Sequence, residues 1–206
     1  MKRFSQMALA AVISLSATIP AFAAEGATPE RPIYVGLTTW FAASPNWNAN
    51  YTLSVSAPVG NTPWILMTDY TPTLGSGHLN LGHIFDVGPV SITPSLGYRF
   101  FGAGALGATT PAGGFEVGPE VGLGATMQLL PWLNIWAGAA YAPFMANPAG
   151  GGPGSYVDFN AALQASHERV SLSLGYGGLM FNGSQAGNPS ASLSMGGPKI
   201  GLLTRF

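Results

Sequence analysis

His78, His83 and His167 are the first residues to weigh for chemistry. His78 and His83 fall in one stretch of alternating apolar and polar residues, five positions apart. On a strand an odd spacing points two side chains to opposite faces, so this pair cannot converge on one metal ion or one substrate atom. His167 falls in a predicted turn, away from both. A metal or catalytic centre needs convergent groups, so the three read as unconnected polar side chains. Cysteine is absent, which removes thiolate ligands, thiol nucleophiles and disulfides. Serines are abundant, but none sits in a nucleophile elbow. The run Gly175-Tyr176-Gly177-Gly178 has no following helix with which to cradle phosphate. These residues assign no catalytic group, no cofactor and no metal.

The acidic and basic residues are more informative. Arg99 and Glu116 flank the glycine-rich stretch Gly102 to Gly114, with Glu120 deeper along the following strand, so a pair from Arg99 to Glu116 or to Glu120 is geometrically easy. Unpaired charge in a low-dielectric interior is expensive, and charges on an enclosed face therefore pair and rigidify the fold. The alternative is a role in selectivity or ligand binding. Asp69 and Asp158 are candidates for the same interior, and Asp86, Lys199 and Arg205 extend the inventory.

What must position these charges is a set of strands. Alternation and turn residues divide the chain into about ten segments of the length that a tilted membrane-spanning strand needs. The expected strands are Ile33 to Ala42; a second around Tyr51, Leu53 and Val55; Trp64 to Thr73; His78 to Val87; Val90 to Phe101; Phe115 to Leu129; Trp132 to Met145; Tyr156 to Ser166; Val170 to Phe181; and a last one ending at Phe206. Connections are expected at Ser44-Pro45-Asn46, Pro58 to Pro63, Gly75 to Gly77, Gly88-Pro89, Gly102 to Gly114, Pro131, Asn147 to Gly154, His167-Glu168 and Asn182 to Pro189. Gly196-Gly197-Pro198 interrupts the alternation between Met195 and Ile200 and suggests a bulge. One face of these strands is apolar. The other carries the charges and many small residues, among them Gly36, Gly82, Gly97, Gly118, Gly122, Gly124, Gly138, Ala140, Ala162, Gly175 and Gly177.

Composition says what solvent the apolar face meets. Charged residues are 7% of the chain, against about 25% in an ordinary soluble protein. After the N-terminal segment no stretch of about 18 apolar residues remains, so spanning helices are excluded. Backbone groups in lipid must all be paired within the protein, and without helices only a closed barrel achieves this. The expected fold is therefore all-β: a transmembrane up-and-down antiparallel barrel of ten strands, with eight or twelve as the alternatives if a hairpin has been split or merged. The first residues read as a secretory signal: Met1-Lys2-Arg3 is basic, Met7 to Ala17 is apolar, and Ala21-Phe22-Ala23 is a small-x-small cleavage site. Residues 1–23 would be removed, leaving 24–206 as one domain. No basic patch invites nucleic acid.

The last eight residues, Lys199 to Phe206, carry a resemblance. A polar Lys199, Gly201 two positions on, and apolar residues spaced by two up to Phe206 resemble the closing-strand signal of bacterial outer-membrane β-barrels, with Thr204 where that pattern has a larger apolar residue. The resemblance implies an outer-membrane location, recognition of Lys199, Gly201 and Phe206 by the barrel-assembly machinery, and contact with outer-membrane lipid and lipopolysaccharide. With the termini in the periplasm, the long connections after the fifth, seventh and ninth strands would lie outside the cell and the short ones inside, the usual arrangement.

Two structural readings of the small inward residues follow. They leave a narrow channel or ligand-sized space, or they relieve curvature while Trp40, Trp136, Phe101 and Phe181 fill the interior. Trp64, Tyr70, Tyr98, Phe100, Trp132, Tyr141, Phe144, Tyr156 and Phe206 lie towards strand ends and suit interfacial girdles. The functional expectation is a monomeric narrow porin-like channel or small-molecule binding and transport barrel. An outer-membrane enzyme is the alternative, since omptin-type proteases also have ten strands, and lipid A-modifying barrels are a further case. Neither their acidic and histidine clusters nor a serine-histidine face is recognisable here. A purely structural or adhesive barrel is the third.

Overall fold

The computed structural model describes residues 31–43, 47–102, 115–146, 154–185 and 188–206. The expected signal segment, the Ser44-Pro45-Asn46 connection and most of the two glycine-rich connections at 102–114 and 147–154 lie outside these residues. Eleven strands follow one another: β1 (Tyr34–Ala43), β2 (Trp47–Pro58), β3 (Trp64–Thr71), β4 (Ser76–His83), β5 (Phe85–Val87), β6 (Val90–Gly102), β7 (Phe115–Leu130), β8 (Leu133–Met145), β9 (Gly154–His167), β10 (Val170–Gln185) and β11 (Asn188–Arg205).

Every pairing is antiparallel, and the chain closes on itself. β1 pairs with β2 on one side and with β11 on the other, from Tyr34↔Arg205 to Trp40↔Lys199. β4 pairs with β3 and with β6. β5 continues the β4 ladder against β6 in unchanged register, Gly82↔Ser95 leading on to Phe85↔Ile92. Only Ile84 separates them, and its N–H donates to Pro63 O at 2.9 Å, one step beyond the pair Trp64↔His83 in the same β3–β4 register. The expected strand His78 to Val87 is thus one wall strand with a break, and the wall has ten strands: a closed up-and-down antiparallel β-barrel.

The alternation of the sequence becomes an inside and an outside. Leu96, Tyr98, Leu123, Leu172, Leu174 and Phe144 are exposed, several with more than half of their surface free, while Thr52, Ser54, Ser56, Ser91, Arg99 and Glu120 are buried. An apolar exterior around a polar interior is stable against hydrocarbon and unstable against water. Aromatic side chains gather towards both rims: Trp64, Phe85, Trp132 and Phe206 at the end that holds the chain termini, Tyr70, Tyr98, Tyr141 and Phe144 in the opposite halves of their strands. Tyr70 lies against Phe100 with ring centroids 6.0 Å apart.

Three local expectations are corrected. Tyr156 is not part of a girdle: it is inward and buried, because it shares strand parity with Asp158 and Asn160. No bulge occurs at Gly196-Gly197-Pro198, where Tyr176↔Pro198, Gly177↔Gly197 and Gly178↔Gly196 continue the β10–β11 register. The alternation looked broken only because Met195 is an inward apolar residue. Pro198 lies just past the last β1 pair, Trp40↔Lys199, so its missing N–H costs no β1 bond. Register shifts fall instead at Gly183/Gln185, Gln128/Leu130 and Ala142/Met145. Finally, Asn182 to Pro189 is not a long loop. The strands run on through Asn182↔Ser192 and Gly183↔Ala191 to Gln185↔Asn188, so this connection is a hairpin arm.

Candidate functional site

The barrel's interior is organised in layers. Nearest the rim opposite the termini, Trp40 (β1), Leu74 (the β3–β4 turn), Phe101 (β6), Met145 (β8), Tyr156 (β9), Phe181 (β10) and Met195 (β11) form one buried apolar cluster. Phe101 and Phe181 come from nearly opposite sides of the wall and stack at 4.7 Å, 17° from parallel. Phe101 also meets Tyr156 at 5.7 Å. Side chains from β1, β6, β8, β9, β10 and β11 therefore meet inside the barrel at this height. Each stacked pair adds about 0.5–1.5 kcal/mol beyond the area it buries.

Beneath this cluster lies an ion network centred on Arg99, which is 2% exposed. Its Nε donates to Glu120 Oε2, and its Nη2 donates to Asp158 Oδ2 at 2.5 Å across the lumen. Its guanidinium sits 4.5 Å from the centre of the Tyr156 ring. Asp69 Oδ1 is 4.0 Å from Arg99 Nη1, and His78 Nδ1 lies 3.0 Å from Arg99 Nη2, 3.5 Å from Glu120 Oε1 and 3.6 Å from Asp69 Oδ1. Glu120, with no exposed surface, receives a second donor from Asn80 Nδ2 at 2.5 Å. Gly97 makes room for this: it is paired with Asn80 on one side and Glu120 on the other, and a Cβ there would collide with Asn80 and with the Leu79 carbonyl. On the far wall Lys199 Nζ donates to Asn160 Oδ1 and lies 4.9 Å from the centre of the Trp40 ring.

A cavity of about 70 Å³ follows, towards the terminal end. His78, Asn80, Thr93, Ser95, Thr126, Trp136, Asp158 and Asn160 line it, with the bare backbones of Gly122, Gly124 and Gly138. The last layers are small and hydroxylic, with Ser91, Ser171 and Ser173 beside the amides of Asn134 and Gln164. Two apolar pairs flank them, Ile65 with Ile84, and Tyr34 with Leu203.

Of the residues singled out by sequence, Arg99, Glu120, Asp158 and Asp69 are thus brought together. Between the two partners offered for Arg99, the geometry selects Glu120. Glu116 is buried nearer the rim, and its Oε2 has no partner among the described residues. Asp86 lies outside the network, exposed at the terminal rim with Ser91 donating to it at 2.5 Å and Arg31 at 3.4 Å. Lys199 and Arg205 face inward as alternation requires. Gly201 lies between Thr38 and Ser173, whose hydroxyls occupy the space a Cβ would take. Phe206 is 72% exposed and exchanges backbone hydrogen bonds with Ile33.

His78 is not an isolated polar residue: it belongs to the ion network. His83 does face the opposite way, clamped on the outside between Trp64 at 4.7 Å and Phe85 at 4.3 Å, and His167 is exposed in its turn. Asn80, Tyr156 and Asn160 were missed as site residues, although the parity that places Asp158 inside places Tyr156 and Asn160 there too. No group of three metal-ligating side chains occurs among the described residues.

The fold and its interior define a class, a closed ten-stranded antiparallel β-barrel with an apolar outside and charged and polar side chains within. No known family matches the sequence, and no curated protein does. Among solved structures, the crystal structure of Neisserial surface protein A aligns over 85% of this chain and 96% of its own, with 9% identity and a TM-score of 0.32. At that score the assignment of the fold rests on the strand pairings themselves.

Proposed function

We propose that this protein is a bacterial outer-membrane barrel that holds a small solute without conducting. The observation that carries the reading is the buried apolar layer around Phe101 and Phe181, which lies across the lumen above a polar cavity. A constitutive pore needs a continuous aqueous path, and a barrel of about this size can instead be filled by its own side chains. The outer-membrane setting is supported by the apolar exterior, by the signal-like residues 1–23, and by Lys199, Gly201 and Phe206 on the closing strand. In this reading the termini lie in the periplasm, the assembly machinery inserts the chain, lipopolysaccharide and lipid surround it, and it works as a monomer.

The test is electrical. Purified full-length protein in planar bilayers is expected to be silent, whereas Phe101→Ala combined with Phe181→Ala should produce discrete conductance steps. Steady conductance from the wild type would restore the narrow porin-like reading, for which the inward glycines are the supporting observation.

A further inference from the structure

We propose that the cavity beneath the ion network is a binding site for one small uncharged polyol, of the size of glycerol or erythritol. The inference rests on reading the barrel as a closed vessel and names the class of solute it holds.

Four observations converge on this chemistry. The first is size. A cavity of about 70 Å³ offers room for several waters at roughly 10–15 Å³ each, which is the span of three or four hydroxylated carbons. The second is the kind of polar group on the wall. Thr93 and Ser95 from β6, Thr126 from β7 and Asn80 from β4 supply hydroxyls and an amide from three neighbouring strands, and Asn160 supplies an amide from β9. Such groups both donate and accept, as a row of alcohol groups requires.

The third is charge. The one carboxylate in the wall, Asp158, already accepts from Arg99 at 2.5 Å, so the site holds no uncompensated charge that would call for an ion. Asn80, 3% exposed, is fixed in the wall by the bond its Nδ2 donates to Glu120, with its Oδ1 turned against Gly97. The fourth is the apolar surface. The Trp136 ring lines the cavity beside Gly138, with its Cζ3 3.3 Å from where a Cβ on that glycine would stand. A polyol has carbon-bound hydrogens on the sides its hydroxyls leave free, and an aromatic face beside a bare glycine wall accommodates them.

Gly124 supplies the decisive variant. A Cβ there meets nothing nearer than 3.8 Å, so Gly124→Leu fills free space and not the wall. Folded full-length protein, verified by its heat-modifiable mobility, would be dialysed against labelled glycerol and erythritol. Saturable binding near one per chain is expected, at least about tenfold weaker in Gly124→Leu and also weakened in Trp136→Leu, which serves if the leucine variant does not fold. Glycerate and 1,3-diaminopropane, charged molecules of similar size, should not compete. Absence of saturable binding in the wild type, equal binding in folded Gly124→Leu, or preferential binding of a charged competitor would each overturn the proposal. Conductance recorded on the same preparations separates the two readings: a protein that binds but conducts retains the polyol site and loses the closed vessel, whereas a silent protein that binds nothing loses the site alone.

Discussion

Glu120 and Glu116 show how differently two buried carboxylates on one strand face can behave. Glu120 accepts from Arg99 and Asn80, while Glu116 leaves one oxygen unpartnered among the described residues. Glu120→Gln keeps the shape but removes the charge that Arg99 faces, and breaking one side of a buried pair costs about 3–5 kcal/mol. Asp158 still holds Arg99, so the expected loss is at the lower end of that range. Glu116→Gln removes a buried charge with no such partner and should leave stability unchanged or raise it. Reversible denaturant unfolding in lipid vesicles measures both. Equal losses for the two variants would contradict the pairing.

Among elements, β7 displays the two faces most clearly. Val121 is half exposed on the outside, whereas Gly122 points inward and a Cβ there would be crowded by the Ser95 hydroxyl alone, at 2.5 Å. Val121→Arg should cost about 2–4 kcal/mol if the side chain sits at the bilayer midplane, while Gly122→Ser should be tolerated by rotation of Ser95. A greater loss for the inward change, in the same vesicle assay, would invert the face assignment. At the closing strand, deletion of Phe206 removes two backbone hydrogen bonds to Ile33 and an exposed aromatic at the terminal rim. It should lower the amount of folded, heat-modifiable protein in isolated outer membranes. Equal amounts with and without Phe206 would show that β11 closes on β1 without it.

For the molecule as a whole, the charges at the height of Arg99 nearly balance: Asp69, Glu120 and Asp158 stand against Arg99 and Lys199, with His78 among them. A path opened by removing Phe101 and Phe181 would pass this mixed ring. Selectivity arises from rings of one sign, so the opened variant should discriminate weakly between potassium and chloride in a salt gradient. Adding Arg99→Gln should shift it towards cations. A strongly selective opened variant with Arg99 intact would mean that the network does not line the path.

Alternation along single strands is a local property, and it was readable without the fold. It assigned Arg99, Glu120, Asp69 and Asp158 to one interior, opposed His78 to His83, and implied ten strands and a closed barrel, because scarce charge and the lack of spanning helices leave lipid-facing strands no other way to pair their backbones. It failed where one inward residue was apolar, as at Met195 and Tyr156, since inside and outside are then no longer distinguished by polarity. Partner choice was beyond it as well. Arg99 reaches Asp158 from β6 to β9, and Phe101 reaches Phe181 from β6 to β10; both distances are set by strand stagger and closure, which appear in no local pattern. Which side chains meet across the glycine-walled interior depended on that closure, and only the tertiary structure brought Phe101 and Phe181 together.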